Sequence, residues 1–404
     1  MKIQKNELKI FSKIATIASL STALSAILNF FYNVFVGRFL GPEKFGLLAS
    51  LISIVGILTI GSSGFQVATA RAIATNKVTK KYQMFDNWTK KTLFIGLVSF
   101  LILLVLAFFI GHLLNTSYLT ASSISISGLS ALIFAISIGR LQGSNKIIEW
   151  QFWGTFATFL KLSFAGFLIF FNASLGFFVV SLSLIAIFTS LIILYRTKNL
   201  GSVQLKVLSH SVLTSSVSMA LLWFITQVDI SIVRIKYSET EAGLFAAAST
   251  ISKSIPLAVG LIGAILLPII AKKNHEGQST DKDIKNLALT SLILSSIMSL
   301  IAILISQPLM LALFGSKFIG SENYLWKLAV TSIPWAIAMS LVQARLGSHS
   351  GQVSVILLIS TVIQVVSFMF LAKSIDQIII ISGVVATILI ILIFSISNSK
   401  IGVK

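Results

Sequence analysis

The chain contains no cysteine, only 12 acidic residues and only five prolines in 404 positions. Without cysteine there are no disulfides, thiolate nucleophiles or cysteine metal sites, and the redox compartment stays open. Charged residues make up 11% of the chain, against about 25% in a soluble domain. Apolar residues make up 56%, and the mean hydropathy is +0.96. A water-soluble fold of this length would display large apolar patches, so the composition excludes a soluble enzyme. His112, His210, His275 and His349 include no pair at metal-ligand spacing, and no residue pattern calls for a metal or other cofactor. No Gly-rich loop runs into Lys-Ser/Thr, so ATP hydrolysis by this chain is not expected. A membrane glycosyltransferase would need a sizeable polar loop bearing carboxylates, and the chain offers none.

What the chain does have is basic residues, 31 of them, for a formal net charge of +19. Such a charge often marks a nucleic-acid binder. Here the basic residues lie between apolar runs, which is the pattern of membrane topology, so no nucleic-acid partner is expected. Twelve runs approach the ~20 residues a helix needs to cross a bilayer. They are 14–36, 46–68, 92–114, 121–139, 151–171, 176–195, 210–233, 243–271, 287–306, 324–344, 352–372 and 377–396. The prediction is an all-α polytopic membrane protein. Met1–Lys13 reads as a retained cytoplasmic tail, not a signal peptide. With the N-terminus inside, most basic residues fall in inner segments. Arg38, Lys44, Arg234, Lys236, Lys317, Lys327 and Lys373 fall outside, and Lys161 and Lys253 fall within spans. The bias places both termini in the cytoplasm and the protein in the cell membrane. The run 243–271 carries Pro256 and Pro268, and reads either as one kinked helix or as a helix plus an interfacial piece.

The chain also echoes itself. At 196 positions apart, Asn33 meets Asp229, Arg38 meets Arg234 and Glu43 meets Glu239; at 197, Gly46 meets Gly243 and Ala49 meets Ala246. Ala135-Ile136 and Gln142 have a similar relation to Ala336-Ile337 and Gln343. Repeats at half the chain length predict two six-helix bundles, 1–200 and 201–404, in one orientation, with the substrate path between them.

Polar residues are rationed inside the spans, and they share faces. Ser19, Thr22, Asn29 and Asn33 lie on one side of the first span, and Ser211, Ser215, Ser218, Thr226 and Asp229 on one side of the seventh. Both stripes fit either interhelical hydrogen bonding or the lining of a cavity. Asp229 is the one acid clearly within a span, where it needs water, a cation or a basic partner such as Arg234 or a lysine. Lys161 lies about 15 Å from either surface, too deep to snorkel. It is either neutralised by burial or paired with Asp229, or it serves a ligand. One acid cannot neutralise both Lys161 and Lys253, and an anionic ligand would answer the excess. Trp223 and Gln227 lie one helical turn apart near mid-depth, where tryptophan either stacks on a sugar ring or fills a core. Trp88, Trp150 and Trp326 fit interfacial anchors.

The turn Val36-Gly37-Arg38-Phe39-Leu40-Gly41-Pro42-Glu43-Lys44-Phe45-Gly46 resembles the first-loop signature of Wzx-like polysaccharide-biosynthesis flippases. So do Val228-Asp229-Ile230, with the later Ala242-Gly243-Leu244-Phe245-Ala246, and Arg140-Leu141-Gln142-Gly143. That group belongs to the multidrug/oligosaccharidyl-lipid/polysaccharide (MOP) exporter superfamily. The resemblance implies a MATE-like fold with a central cavity between two bundles, working by alternating access. It implies a non-enzymatic flippase that carries an oligosaccharide on undecaprenyl pyrophosphate from the inner to the outer leaflet. The cationic lumen common in the family would be supplied by Lys161 and Lys253. A coupling ion, H+ or Na+, a polymerase partner and surrounding membrane lipids are also implied. The alternative within the superfamily is a cation-coupled multidrug antiporter, which calls for several membrane-embedded acids.

Overall fold

The computed structural model describes residues 2–75, 78–79, 86–200, 202–203, 210–260, 262 and 280–396. The side chains of Ser19, His210, Ser211 and His349, and all of Lys80, His275 and Pro268, lie outside the described residues. Twelve helical stretches among those described are long and apolar enough to cross a membrane, from Leu20–Leu40 to Ile375–Ser395. Each overlaps one of the twelve runs read from hydropathy. The protein is an all-α, multi-pass membrane protein. Its described extended structure is one two-residue antiparallel pair, Val78–Thr79 (β1) with Ser202–Val203 (β2).

The chain forms two compact units, residues 1–39 with 54–213 and residues 40–53 with 214–404. The first holds α1 (Lys2–Leu40), α3 (Ser63–Ala74), α4 (Asn87–Leu113), α5 (Tyr118–Ser122), α6 (Ser125–Gly143), α7 (Ile147–Phe170) and α8 (Leu175–Arg196). The second holds α9 (His210–Lys236), α10 (Glu239–Ser252), α11 (Asp281–Leu304), α12 (Ser306–Phe314), α13 (Glu322–Phe370) and α14 (Ile375–Ser395). One helix, α2 (Pro42–Gly61), is divided between them: its first turns group with the second unit, its last with the first.

In the first unit α6 is the central helix, and its sequence explains why. It is rich in serine, glycine and alanine, so its neighbours approach closely. Gly139 and Gly143 face the backbone of α3, and Gly128 faces Ser99 on α4. By contrast α4 is a run of leucine, valine and phenylalanine, and exposes Phe94, Leu101, Val105, Phe108 and Phe109 to the lipid. The end of the unit where α4 begins is closed by Trp88, expected as an interfacial anchor. It is instead buried, stacked on Phe65 at 5.8 Å, with Nε1 donating to Thr69 Oγ1 at 2.9 Å. A partner for the indole N–H allows this burial.

In the second unit α13 carries two spans, Glu322–Leu346 and Gly351–Phe370. The first arm bonds the α10 segment, with Ser332 donating to the Ser252 carbonyl and Ser340 to the Val259 carbonyl. The second bonds α9, through Ser354 to Ser218 and Gln364 to the Ile225 carbonyl. The Ser252 bond has a local cause. Pro256 has no N–H to offer a carbonyl four residues back, so Ser252 is left for Ser332. The helix accordingly breaks at Lys253 and resumes over residues 254–260. The described part of the 243–271 run is therefore two helical pieces.

The turns before α2 and α10 are shorter than the sequence suggested. Residues 37–40, read as loop, complete α1, and Gly41 alone separates α1 from α2. Its φ of +76° is a left-handed conformation open to glycine, and Pro42 then supplies the preset φ of a first helical residue. The equivalent turn before α10 is Tyr237-Ser238, closed by a capping box between Ser238 and Glu241.

Candidate functional site

Two polar sites lie at mid-span, one in each unit. In the first unit, α1 and α7 share a seam of hydroxyls and amides. Thr22 donates to Gln151 at 3.4 Å, Ser25 pairs with Thr155 at 2.8 Å, and Lys161 Nζ donates to Asn29 Oδ1 at 3.0 Å. Steps of three and four keep Thr22, Ser25 and Asn29 on one face of α1. Asn29 and Asn33 are anchored to carbonyls one turn back, Ser25 and Asn29 respectively. The Lys161 ammonium sits 3.9 Å from the centre of the Tyr32 ring. Tyr32 is buried, and its hydroxyl has no hydrogen-bond partner among the described residues. The ring face and the Asn29 carbonyl are both neutral, and among the described residues no carboxylate lies within ion-pair reach of Lys161. An ammonium has three donors, so two remain beyond the Asn29 bond.

In the second unit, Lys253 Nζ meets Asp229 Oδ1 at 2.6 Å and Gln227 Oε1 at 3.4 Å. Of the alternatives read from the sequence, the lysine is the partner of Asp229, and Arg234 instead bonds Glu239 at 2.5 Å. Lys253 reaches inward because Pro256 puts the helix break at its own position. The pair borders a cavity of about 30 Å³ lined in part by Thr226, Ser332, Trp335 and Ser382. A water needs about 10–15 Å³ measured this way, so the space suits one or two waters and no sugar ring. Trp223 is half-buried and donates Nε1 to the Ser53 carbonyl at 3.4 Å, so it packs within its unit rather than lining this cavity.

The Asp229–Lys253 pair should behave as a linked unit. Lys253→Met leaves a buried carboxylate and is expected to cost about 3–5 kcal/mol, whereas Asp229→Leu/Lys253→Met is expected to recover most of that. Thermal unfolding of the wild type, Asp229→Leu, Lys253→Met and the double variant in detergent measures it. Equal losses in the single and double variants would show that pairing does not set the stability.

A third buried charge site went unread in the sequence. Asp86, in the polar stretch between the runs 46–68 and 92–114, is fully buried at the start of α4. Its Oδ1 accepts from Thr89 N at 2.8 Å, and its Oδ2 accepts from Arg140 Nη1 at 3.0 Å and from Val203 N at 2.8 Å. Arg140 also donates to the side chain and carbonyl of Thr197. The readable signal was an Asp in the polar stretch just ahead of the 92–114 run, an N-cap residue type.

Of the residues of the first-loop motif, Arg38 lies exposed in the last turn of α1, and Gly41 and Pro42 form the turn. Gly46 and Gly243 are buried against one another, so that a Cβ on Gly46 would stand 2.8 Å from Gly243 N.

Residues 12–274 match the family model described as "Polysaccharide biosynthesis protein". "Lsg locus putative protein 1" of Haemophilus influenzae is 26% identical over 43% of this chain and 44% of its own length. The chain spans less than half the length of the curated relatives it matches. A multidrug resistance MATE family transporter of the MOP superfamily, in an inward-facing conformation, superposes with a TM-score of 0.69 at 14% identity, over 93% of this chain and 96% of that one. The lipid II flippase MurJ, in an inward closed conformation, superposes with a TM-score of 0.70 at 12% identity, over 94% of this chain and 86% of that one. At those identities the likeness concerns the fold. With the family model covering more than half of its length, the chain belongs to the polysaccharide biosynthesis protein family, on the fold of the MOP-superfamily transporters.

Proposed function

We propose that this protein moves a lipid-linked, anionic glycan precursor, an oligosaccharide on undecaprenyl pyrophosphate, from the inner to the outer leaflet, without itself catalysing a covalent reaction. The observation that carries the reading is Lys161, a mid-span ammonium met by a ring face and an amide oxygen. A cation so placed is costly unless an anion visits it, and a pyrophosphate supplies that charge. Lys253 is matched by Asp229, so the unmatched mid-span charge among the described residues rests on Lys161. Asn29 and Asn33 would border the same ligand, and Trp223 and Gln227 belong to the second unit's interior. The proposed setting is the cell membrane with both termini cytoplasmic, which puts Gly41 at the outer face. A gradient of H+ or Na+ would drive the movement, and a polymerase would receive the product.

The rival, a cation-coupled multidrug antiporter, needs embedded acids open to a cation. The two fully buried acids described, Asp86 and Asp229, are both held by basic side chains. That favours the glycan carrier.

Purified protein in liposomes containing the pyrophosphate-linked oligosaccharide should expose inner-leaflet glycan to an impermeant glycan-cleaving enzyme. Cleavage that stops at the outer-leaflet half, as in protein-free vesicles, would sink the proposal.

A further inference from the structure

Between the runs 46–68 and 92–114 the sequence sets Arg71, Lys77, Lys80, Lys81, Lys90 and Lys91 against a single acid, Asp86. That acid does not serve the lysines, because it is fully buried and bound to Arg140. Lys90 and Lys91 lie exposed in the first turns of α4. Among the described residues no carboxylate is within ion-pair reach of either. Other helix starts are balanced. Lys146, just ahead of α7, meets Glu149 at 3.2 Å, and Lys282 and Lys285 of α11 alternate with Asp281 and Asp283.

The two lysines adjoin an apolar surface. With Phe94 and Ile95 they border an open hollow of about 440 Å³. Phe94 is 66% exposed and Ile95 44%. Each lysine stands four residues before one of these apolar residues, on the same side of the helix and about 6 Å along its axis. The exposed face continues through Leu97, Val98, Leu101 and Ile102. Of the twelve spans described, α4 is the least buried. Cationic groups at one end of an apolar groove match a phospholipid, whose phosphate leads through glycerol to an acyl chain. A zwitterionic headgroup brings its own cation beside the phosphate, so an anionic one answers the lysines better. Setting the topology of the chain requires only that the segment be basic; it does not call for the hollow.

We propose that Lys90 and Lys91, with Phe94 and Ile95, form a binding site for an anionic phospholipid of the surrounding bilayer, its phosphate on the two ammonium groups and an acyl chain along α4. The inference rests on the membrane-spanning fold and not on the cargo.

Purified full-length protein, titrated in detergent with phosphatidylglycerol or phosphatidylcholine and read by native mass spectrometry, tests it. The wild type should prefer phosphatidylglycerol. Lys90→Gln/Lys91→Gln should weaken that binding about 30-fold, at about tenfold or less for each charge removed, and should leave phosphatidylcholine binding and the melting temperature unchanged. Lys90→Arg/Lys91→Arg should retain the preference, and Lys282→Gln/Lys285→Gln should not alter it. Equal affinity of the wild type for the two lipids would overturn the proposal. So would equal losses in the two Lys→Gln pairs, which would mean diffuse surface charge. Displacement of phosphatidylglycerol from the wild type by a lower concentration of undecaprenyl pyrophosphate would also overturn it, and would give the site to the cargo.

Discussion

Arg140→Leu is expected to remove most of the folded protein from the membrane. Arg140 is 1% exposed, and its partner Asp86 is fully buried. Asp86 joins three elements at once: it caps α4, binds the α6 guanidinium, and holds Val203 of the β2 strand. Without Arg140 the carboxylate stays in place, because its two backbone donors still need it, but its charge has no counterpart. Breaking such a pair costs about 3–5 kcal/mol, a large share of the 5–15 kcal/mol that holds a domain together. Arg140→Lys should recover only part of this, since an ammonium cannot reproduce a planar fork that reaches Asp86 and both oxygens of Thr197. Asp86→Asn/Arg140→Leu should be milder than Arg140→Leu alone, as no charge is then stranded. Membrane abundance and detergent melting temperature, measured together, decide the matter. Wild-type values for Arg140→Leu would mean that the pair does not hold α4, α6 and β2 together.

The second large effect concerns activity, not folding. Lys161→Ala should leave an abundant protein with export lowered about 10–100-fold, because a hydrogen bond to a charged group is worth about 1.5–3 kcal/mol. Folding is spared because removing the lysine also removes the cost of burying it. Lys161→Arg should keep part of the activity, with charge retained but shape altered. Lys161→Glu should be the poorest of the three, since it sets a carboxylate where phosphates must pass. Complementation of a flippase-deficient strain, with membrane abundance measured alongside, gives the ranking. Full export by Lys161→Glu at normal abundance would assign the lysine a purely structural role.

The twelve spans were legible because hydropathy over about 20 residues is a one-dimensional signal, and lipid enforces it. The stripe on α1 was legible for a similar reason: period and polarity placed Thr22, Asn29 and Asn33 on one face before their partners were known. What period could not supply was the partner. The ladder to Gln151, Thr155 and Lys161 joins positions more than 120 residues apart, and their spacing on α7 drew no separate notice. Asp86 misled because a polar run next to a span reads as loop, whereas a single acid within it had been drawn inside by Arg140, 54 residues away. Arg38, Glu43 and Lys44 misled differently. Charges flanking a turn look like a turn of their own length, and only the φ of Gly41 shows that one residue suffices.

That one-residue turn also fixes how motion travels along the chain. A long loop absorbs displacement in its own torsions. Gly41 has a single pair of torsions, and its left-handed φ is held between two helices. The turn is therefore an elbow rather than a tether. A tilt of the first turns of α2 would be passed as torque into α1, which runs as unbroken helix to Asn29, about 18 Å away. Asn29 is the residue that holds Lys161. Stiffness in this short piece of backbone would give the first turn of α2 a mechanical line to the buried ammonium, without a side-chain relay between them.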